Sequence, residues 1–216
     1  MRIAIIGAGN VGTALGRGWA RADHSIAFGV SGPTTDKSRA LAEETGATVA
    51  NNRIAAGDAD VIVMSVPWGA VQVAVAALGP LDGRVVIDAT NPLNFGPDGM
   101  SLAVGFSDSG AETIQRLASG ASVFKTMNQV GFHVMDRARE YPLSPTMFVA
   151  GDDTANKPVV MGLVADLGFT PLDCGSLKMA RYLEPYAMVW INQVVVQGIE
   201  DSRAFVLMPR NPEKKQ

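Results

Sequence analysis

One cysteine, Cys174, and two histidines, His24 and His133, are the only thiol and imidazole groups in this chain of 216 residues. A lone thiol excludes an internal disulfide framework and a cysteine-rich metal centre, so no metal site is expected. It also favours a reducing, cytoplasmic setting. Neither sign of charge dominates: 18 basic against 21 acidic residues leave a net charge of -3, with no basic surplus for nucleic acid or an anionic membrane. Long apolar runs are missing. The nearest to a membrane-spanning stretch, 187–196, is broken by Asn192 and Gln193. The opening run Ile3 to Ile6 is short and glycines follow it, so it is read as a strand and not a secretory leader. Internal repeats and low-complexity segments are absent as well.

What is present is a chain that is 47% hydrophobic, patterned as apolar runs alternating with helical stretches. That alternation predicts a Rossmann-type, doubly wound α/β fold: a mostly parallel sheet with a short C-terminal helical extension. Strands are expected at 2–6, 25–30, 47–49, 60–64, 84–88, 123–125, 147–150 and 169–172. Helices are expected from about 11 to 21, 35–44, 67–78, 112–117, 157–167 and 178–206. The tail 209–216 is polar. Two segments, 89–109 and 127–145, read as long irregular loops starting at the carboxyl edge of the sheet, where ligands bind in open α/β folds. Residues 1–175 form the expected dinucleotide-binding domain, and 176–216 a helical closing segment, separate or part of the same domain.

The most specific stretch is Gly7-Ala8-Gly9-Asn10-Val11-Gly12, directly after the first strand and opening a helix. Gly7 permits a sharp turn, Gly9 lets phosphates approach the backbone, and Gly12 lets helix and strand pack closely. The free N–H groups of the helix start, from Asn10 and Val11, face the anion. After the second strand an NAD site needs a carboxylate for the ribose. Here the loop offers Ser31, Thr34 and Thr35 with Lys37 nearby, and no acid before Asp36. These residue types suit a 2′-phosphate, so NADP is the expected cofactor.

Ser65-Val66-Pro67 falls beside the nicotinamide ribose; Trp68 either walls the site or packs on its own core. Thr90, Asn91 and Pro92 place polar groups near the nicotinamide or make a plain Asx-turn with proline. In Lys125 to Gly131 a run of polar and small residues reads as a ligand-facing edge, with Asn128 and Gly131 as acceptor contacts. Ala180, Arg181 and Tyr182 complete that acceptor site from above. His133 is the one candidate acid or base, although a lone histidine is more often structural. Cys174 is read as a packed thiol. A persuasive proton-transfer pair is missing, as is a long helical substrate domain. A hydride acceptor that is itself a conjugated ring, a flavin or deazaflavin, has less need of either.

These pieces resemble a known family. Gly7 to Gly12, Ser65-Val66-Pro67-Trp68, Ala89-Thr90-Asn91-Pro92-Leu93, Phe124-Lys125-Thr126-Met127-Asn128, Met147 to Asp153, Leu172 to Leu177 and Ala180 to Glu184 are similar to the NADP-dependent reductases of the deazaflavin coenzyme F420 and to the dinucleotide-binding oxidoreductases around them. The resemblance implies a Rossmann core, a C-terminal helical part closing over the cofactor, hydride exchange between NADP and a deazaflavin (F420) or flavin, and often a homodimer. The family usually carries an arginine directly after the residue matching Ser31, where this chain has Gly32. Two other functions stay open: an NADPH-dependent reductase of a small carbonyl or imine, and a non-catalytic NADP(H)-binding sensor. The expected partners are a small-molecule redox partner and a second copy of the chain. The dimer expectation rests on the apolar crowding of Tyr186, Met188, Val189, Trp190, Val194, Val195 and Val196, which otherwise is buried within the monomer.

Overall fold

Strand β1 (Arg2–Ile6) shows how the core is built. Its side chains alternate, Ile3 and Ile5 to one face and Ala4 and Ile6 to the other, and all four are buried. A strand apolar on both sides belongs in the middle of a sheet covered by helices on both faces. A computed structural model describes residues 1–97, 99–208 and 210, and it places β1 in that position.

The main sheet has eight strands in the order β10-β9-β8-β5-β4-β1-β2-β3. The others are β2 (Ser25–Val30), β3 (Thr48–Asn51), β4 (Val61–Met64), β5 (Val85–Asp88), β8 (Ser122–Lys125), β9 (Thr146–Gly151) and β10 (Thr170–Gly175). Pairing is parallel from β3 across to β8, and β8 meets β9 antiparallel. The one face is packed by α1 (Asn10–Arg21), α2 (Asp36–Thr45), α6 (Phe132–Arg137) and α7 (Lys157–Asp166) through Leu15, Trp19, Leu41, Val134, Leu163 and Val164. The other is packed by α3 (Asn52–Gly57), α4 (Val71–Ala76), α5 (Gly110–Leu117) and the start of α8 (Ala180–Ile191) through Ala56, Val75, Ile114 and Ala180. This is the doubly wound, mostly parallel α/β architecture expected of a Rossmann-type chain.

Four local features differ from the sequence expectation. A short helix, α3, follows β3 at once, with the Asn51 side chain capping the N–H of Ile54; six residues leave too little periodicity to read. The 89–109 segment contains a hairpin, β6 (Leu93–Gly96) with β7 (Gly99–Leu102). The 127–145 segment contains α6 and a 3-10 turn, Ala138–Glu140. The C-terminal helix stops early. After α8 a wider helical turn runs over Asn192–Val196, and from 197 to 208 the chain is not helical. It lies against the start of β9, where the Thr146 N–H donates to Phe205 O at 2.9 Å and the Leu207 N–H to Thr146 Oγ1 at 2.9 Å. Pairing with a strand start satisfies that backbone as a helix would. The polar tail 209–216 lies outside the described residues apart from Arg210. Among the described residues no helix is long and apolar enough to cross a membrane.

Because β9 and β10 run against the rest and overlap β8 only at Phe124 and Lys125, their beginnings project beyond its carboxyl end. Helix α8 therefore starts beside Lys125 and climbs over the carboxyl edge.

Candidate functional site

The glycine turn joins β1 to α1 at that edge. Gly7 has φ of +107°, and its N–H donates to Gly29 O at 2.9 Å. A Cβ on Gly7 would fall 2.8 Å from Ser65 O, and one on Gly12 only 2.0 Å from Gly7 O. Both glycines are therefore required by the chain's own packing. Gly9 is different: a Cβ there meets nothing within 4 Å. The space above Gly9 is therefore open. Helix α1 has no side-chain cap at Gly9 and no acidic residue in its first turn, so its free N–H groups and positive dipole end face that space. Ser65 Oγ donates to the carbonyls of Ile6 and Gly7, both at 3.0 Å. It latches the turn to the β4 end and does not reach out.

Beside the turn opens a cavity of about 780 Å3. Gly7, Ala8, Ser31, Gly32, Thr35 and Lys37 line one side, with Val66, Pro67, Ala70, Val73, Ala74 and Ala77 opposite, and Asn52 and Arg53 at the β3–α3 corner. Of the loop hydroxyls that line the cavity, Ser31 is uncommitted. Thr35 caps α2: its Oγ1 accepts the Ser38 N–H at 3.2 Å and its own N–H donates to Ser38 Oγ at 2.9 Å. Thr34 is not part of the lining, and its carbonyl accepts from Arg39 at 3.3 Å. Arg53, Asn52 and the α4 wall were not among the expected site residues, because their approach depends on α3.

The neighbouring corner holds a buried ion cluster. Lys125, fully inaccessible, donates to Asp88 Oδ2 at 2.9 Å and Thr90 O at 2.5 Å, and lies 3.3 Å from Glu184 Oε1. Thr90 donates its N–H and hydroxyl to Asp88 Oδ1 at 2.8 and 2.7 Å. Glu184 accepts the N–H groups of Gly110 and Ala111, at the buried start of α5, at 2.9 and 3.1 Å. Burial works against the Lys125 charge, but Asp88 and Glu184 outweigh it and raise its pKa above the ordinary value. Burial raises the Glu184 carboxyl, and Lys125 and the two N–H groups offset this only in part.

This corrects the reading of 125–131 as a ligand-facing edge. Lys125, Thr126, Met127, Asn128 and Gln129 are all buried, and their polar groups are largely matched internally. Asn128 Nδ2 donates to Asn91 Oδ1 at 3.2 Å and Leu183 O at 3.2 Å, and Asn91 Nδ2 donates to Asn128 O at 3.0 Å. Gln129 exchanges bonds with Phe148, donating at 3.1 Å and accepting at 2.9 Å. Thr126 Oγ1 has no partner, and Met127, fully buried, sits at φ +59°. A strained residue and an orphaned hydroxyl side by side mark a backbone held by its surroundings. Two sequence-based acceptor contacts fall away. Ala180 is inaccessible in the core, and Asn128 clamps two loops together. Arg181 is bound to Glu112 through two bonds, 2.8 and 2.6 Å, which pull the Glu112 carboxyl below its usual range. Gly131 lies under the Trp190 ring; a Cβ there would come within 2.4 Å of it. Tyr182 is exposed. Trp68 packs on the second core, and a Cβ on Gly110 would lie 3.1 Å from its ring and 3.4 Å from Pro92. His133 is half exposed on α6 and pairs with Asp201 at 3.2 Å, with no bond to the Asp88 cluster. Cys174 is half-buried, and burial raises its thiol pKa. Among the described residues no cluster of metal-binding side chains occurs.

One protein family and several solved structures are similar to this chain. Residues 2–92, from β1 through Pro92, match the family described as NADP oxidoreductase, coenzyme F420-dependent. A proposed F420-dependent NADP reductase from Arthrobacter sp. FB24 is 27% identical over 96% of this chain and 100% of its own, with a TM-score of 0.87. A hypothetical protein from Sinorhizobium meliloti is 27% identical over 82% of this chain and 86% of its own, with a TM-score of 0.72. A reductive aminase from Aspergillus terreus, solved with NADPH and ethyl-5-oxohexanoate, shares the fold at 19% identity. It matches 90% of this chain and 61% of its own, with a TM-score of 0.67. The glycine turn, the 780 Å3 cavity and the Thr90–Pro92 loop all fall within the matched stretch, so the similarity to that family is carried by residues 2–92.

Proposed function

We propose that the protein is an NADP(H)-dependent oxidoreductase that passes a hydride between the nicotinamide and a deazaflavin such as coenzyme F420, or a flavin. The observation that carries this reading is the state of the carboxyl-edge corner. The lysine and the histidine there are already committed, Lys125 to Asp88, Thr90 and Glu184, and His133 to Asp201. Reduction of a carbonyl or imine asks for a positioned acid. Transfer to a conjugated ring asks mainly for close stacking and exclusion of water. The balance is NADPH plus oxidised ring plus one proton, giving NADP+ plus the reduced ring, with the proton drawn from solvent.

On this reading the chain's own residues divide the cofactor among them. Gly7, Gly9, Asn10, Val11 and Gly12 present the free N–H groups of α1 to the pyrophosphate. Ser31 and Lys37 take the 2′-phosphate in the cavity they line with Val66 and Pro67. Thr90, Asn91 and Pro92 support the nicotinamide end through their loop, with Asn91 held by Asn128. The acceptor ring lies over that seam, between Gly131 and Tyr182. A homodimer is proposed through the end of α8 and the turn after it, where Val189, Val195 and Val196 are exposed; light scattering that gave a monomer mass at micromolar concentration would remove it.

The test is NADPH oxidation with F420, FMN, FAD and a cyclic imine side by side. Turnover with F420 or a flavin supports the proposal. Turnover of the imine alone would make this a carbonyl-type reductase, and NADPH binding without turnover of any acceptor would make it a sensor.

A further inference from the structure

Asn52 opens α3 at the corner of the cavity, directly after β3. It is 7% exposed, and its Oδ1 is enclosed without a hydrogen-bond partner. Its neighbour Asn51 explains nothing of this, because Asn51 already supplies the helix cap, its Oδ1 accepting the Ile54 N–H at 3.0 Å. A buried carboxamide left unmatched is costly unless something else completes it. The surroundings show that its place is defined. It presses on β2 where β2 carries Gly29, and a Cβ on Gly29 would fall 3.0 Å from Asn52 Oδ1 and 3.2 Å from its Cα. On the far side of the cavity Ala70, Val73, Ala74 and Ala77 form an apolar wall, and Val73 is 72% exposed there. A flat apolar wall across one cavity from a residue with an unmatched amide suits a planar base that has a hydrogen-bonding edge.

We propose that Asn52 reads the adenine of the nucleotide. Turned about its side-chain torsions so that its edge meets the cavity, the carboxamide offers an acceptor beside a donor. Adenine offers the complement, its exocyclic amino group as donor beside a ring nitrogen as acceptor, and asparagine meets that edge with two bonds. The base then rests on Val73 and Ala77, and the orphaned amide is satisfied. The assignment rests on the NADP(H) reading of the cavity and adds the group that selects the base.

The experiment measures dissociation constants for NADP+ and for its 1,N6-etheno analogue, whose bridged amino group has no hydrogen to donate, with the wild type and with Asn52→Leu and Asn52→Ala. Reduced nicotinamide mononucleotide, which has no base, is the control. The expected result is that the wild type prefers NADP+ by about tenfold. Both variants lose that preference, and all three proteins bind the mononucleotide alike. Two variants of different size separate loss of the amide from loss of packing. A variant that kept the full wild-type preference, or a wild type that bound both dinucleotides equally, would overturn the assignment and leave the cofactor reading standing. A wild type that bound neither dinucleotide would overturn both.

Discussion

Gly9 and Gly12 lie one helical turn apart, yet their side-chain positions are opposite in kind. The Gly12 position is filled by the Gly7 carbonyl, and the Gly9 position is empty. Gly9 is also extended, at φ -78° and ψ -170°, which a branched residue tolerates. Gly9→Val should therefore keep its melting temperature within about 3 °C of wild type and lose NADPH affinity by about 100-fold or more. Gly12→Ala should instead destabilise the fold by about 1–3 kcal/mol through overpacking. Thermal melts and fluorescence titration of both variants check the contrast. Asp153 supplies a second residue-scale case, unrelated to the site. Its carboxylate accepts from the Ser122 hydroxyl at 2.6 Å, from Asn156 Nδ2 at 2.7 Å and from the N–H groups of Asn156 and Ala155, which hold its pKa down to about 2 from 3.8. A depressed carboxylate adds stability that is fully present above its unfolded value and drains as pH falls through the folded one. Urea midpoints of wild type and Asp153→Asn should thus differ at pH 6 and converge between pH 4 and pH 2. A difference constant over that range would refute the linkage.

At the scale of elements, α8 is tied to the body through Glu184, which accepts from the start of α5 and completes the Lys125 cluster, beside its buried Ala180, Leu183 and Ala187. Removing one member of a buried charge cluster strands the others, so Glu184→Leu should cost about 3–5 kcal/mol in urea denaturation. Arg181→Ala, which breaks a more accessible pair with Glu112, should cost about 1 kcal/mol or less. Equal losses would mean that α8 is held evenly along its length. This cluster also marks where sequence reading ends. The strands β1, β4 and β5 and the turn at Gly7 to Gly12 were legible because their residue types are dictated locally: branched apolar runs for strands buried on both faces, and glycines where carbonyls crowd. The polar run Lys125 to Gln129 was legible as unusual but not as buried. Its partners Asp88, Glu184 and Phe148 come from three separate elements, and nothing local to 125–129 encodes them. The reversed β9 and β10 hid in the same way, since strand direction leaves no mark in an apolar run. Asn52 and Arg53 were missed because α3 is too short to show a helical period.

Across the whole molecule, the sheet puts the α1 start, the Ser31–Lys37 loop and the Asp88–Pro92 loop along one carboxyl edge, while α8 climbs over it from the reversed strands. On the proposed reading, the order along the edge follows a dinucleotide: base and 2′-phosphate at β2 and β3, pyrophosphate at β1, nicotinamide at β4 and β5. NADPH should accordingly bind more tightly than NADH, because Ser31 and Lys37 line the cavity with no carboxylate among them. Ser31→Asp should reverse the order by about tenfold or more, since a new carboxylate holds the ribose and repels the phosphate; calorimetric titration of both nucleotides with both proteins decides it. The central claim is direct hydride transfer from this bound nicotinamide to a ring acceptor. It is tested most directly by mixing the protein–NADPH complex with oxidised coenzyme F420 or FMN in a stopped-flow instrument and following nicotinamide absorbance in a single turnover. The account predicts that nicotinamide oxidation and ring reduction proceed at one rate, and that this rate slows when the transferred hydrogen at C4 of NADPH is deuterium. Nicotinamide absorbance that stayed constant with every ring acceptor, while the nucleotide remained bound, would contradict it.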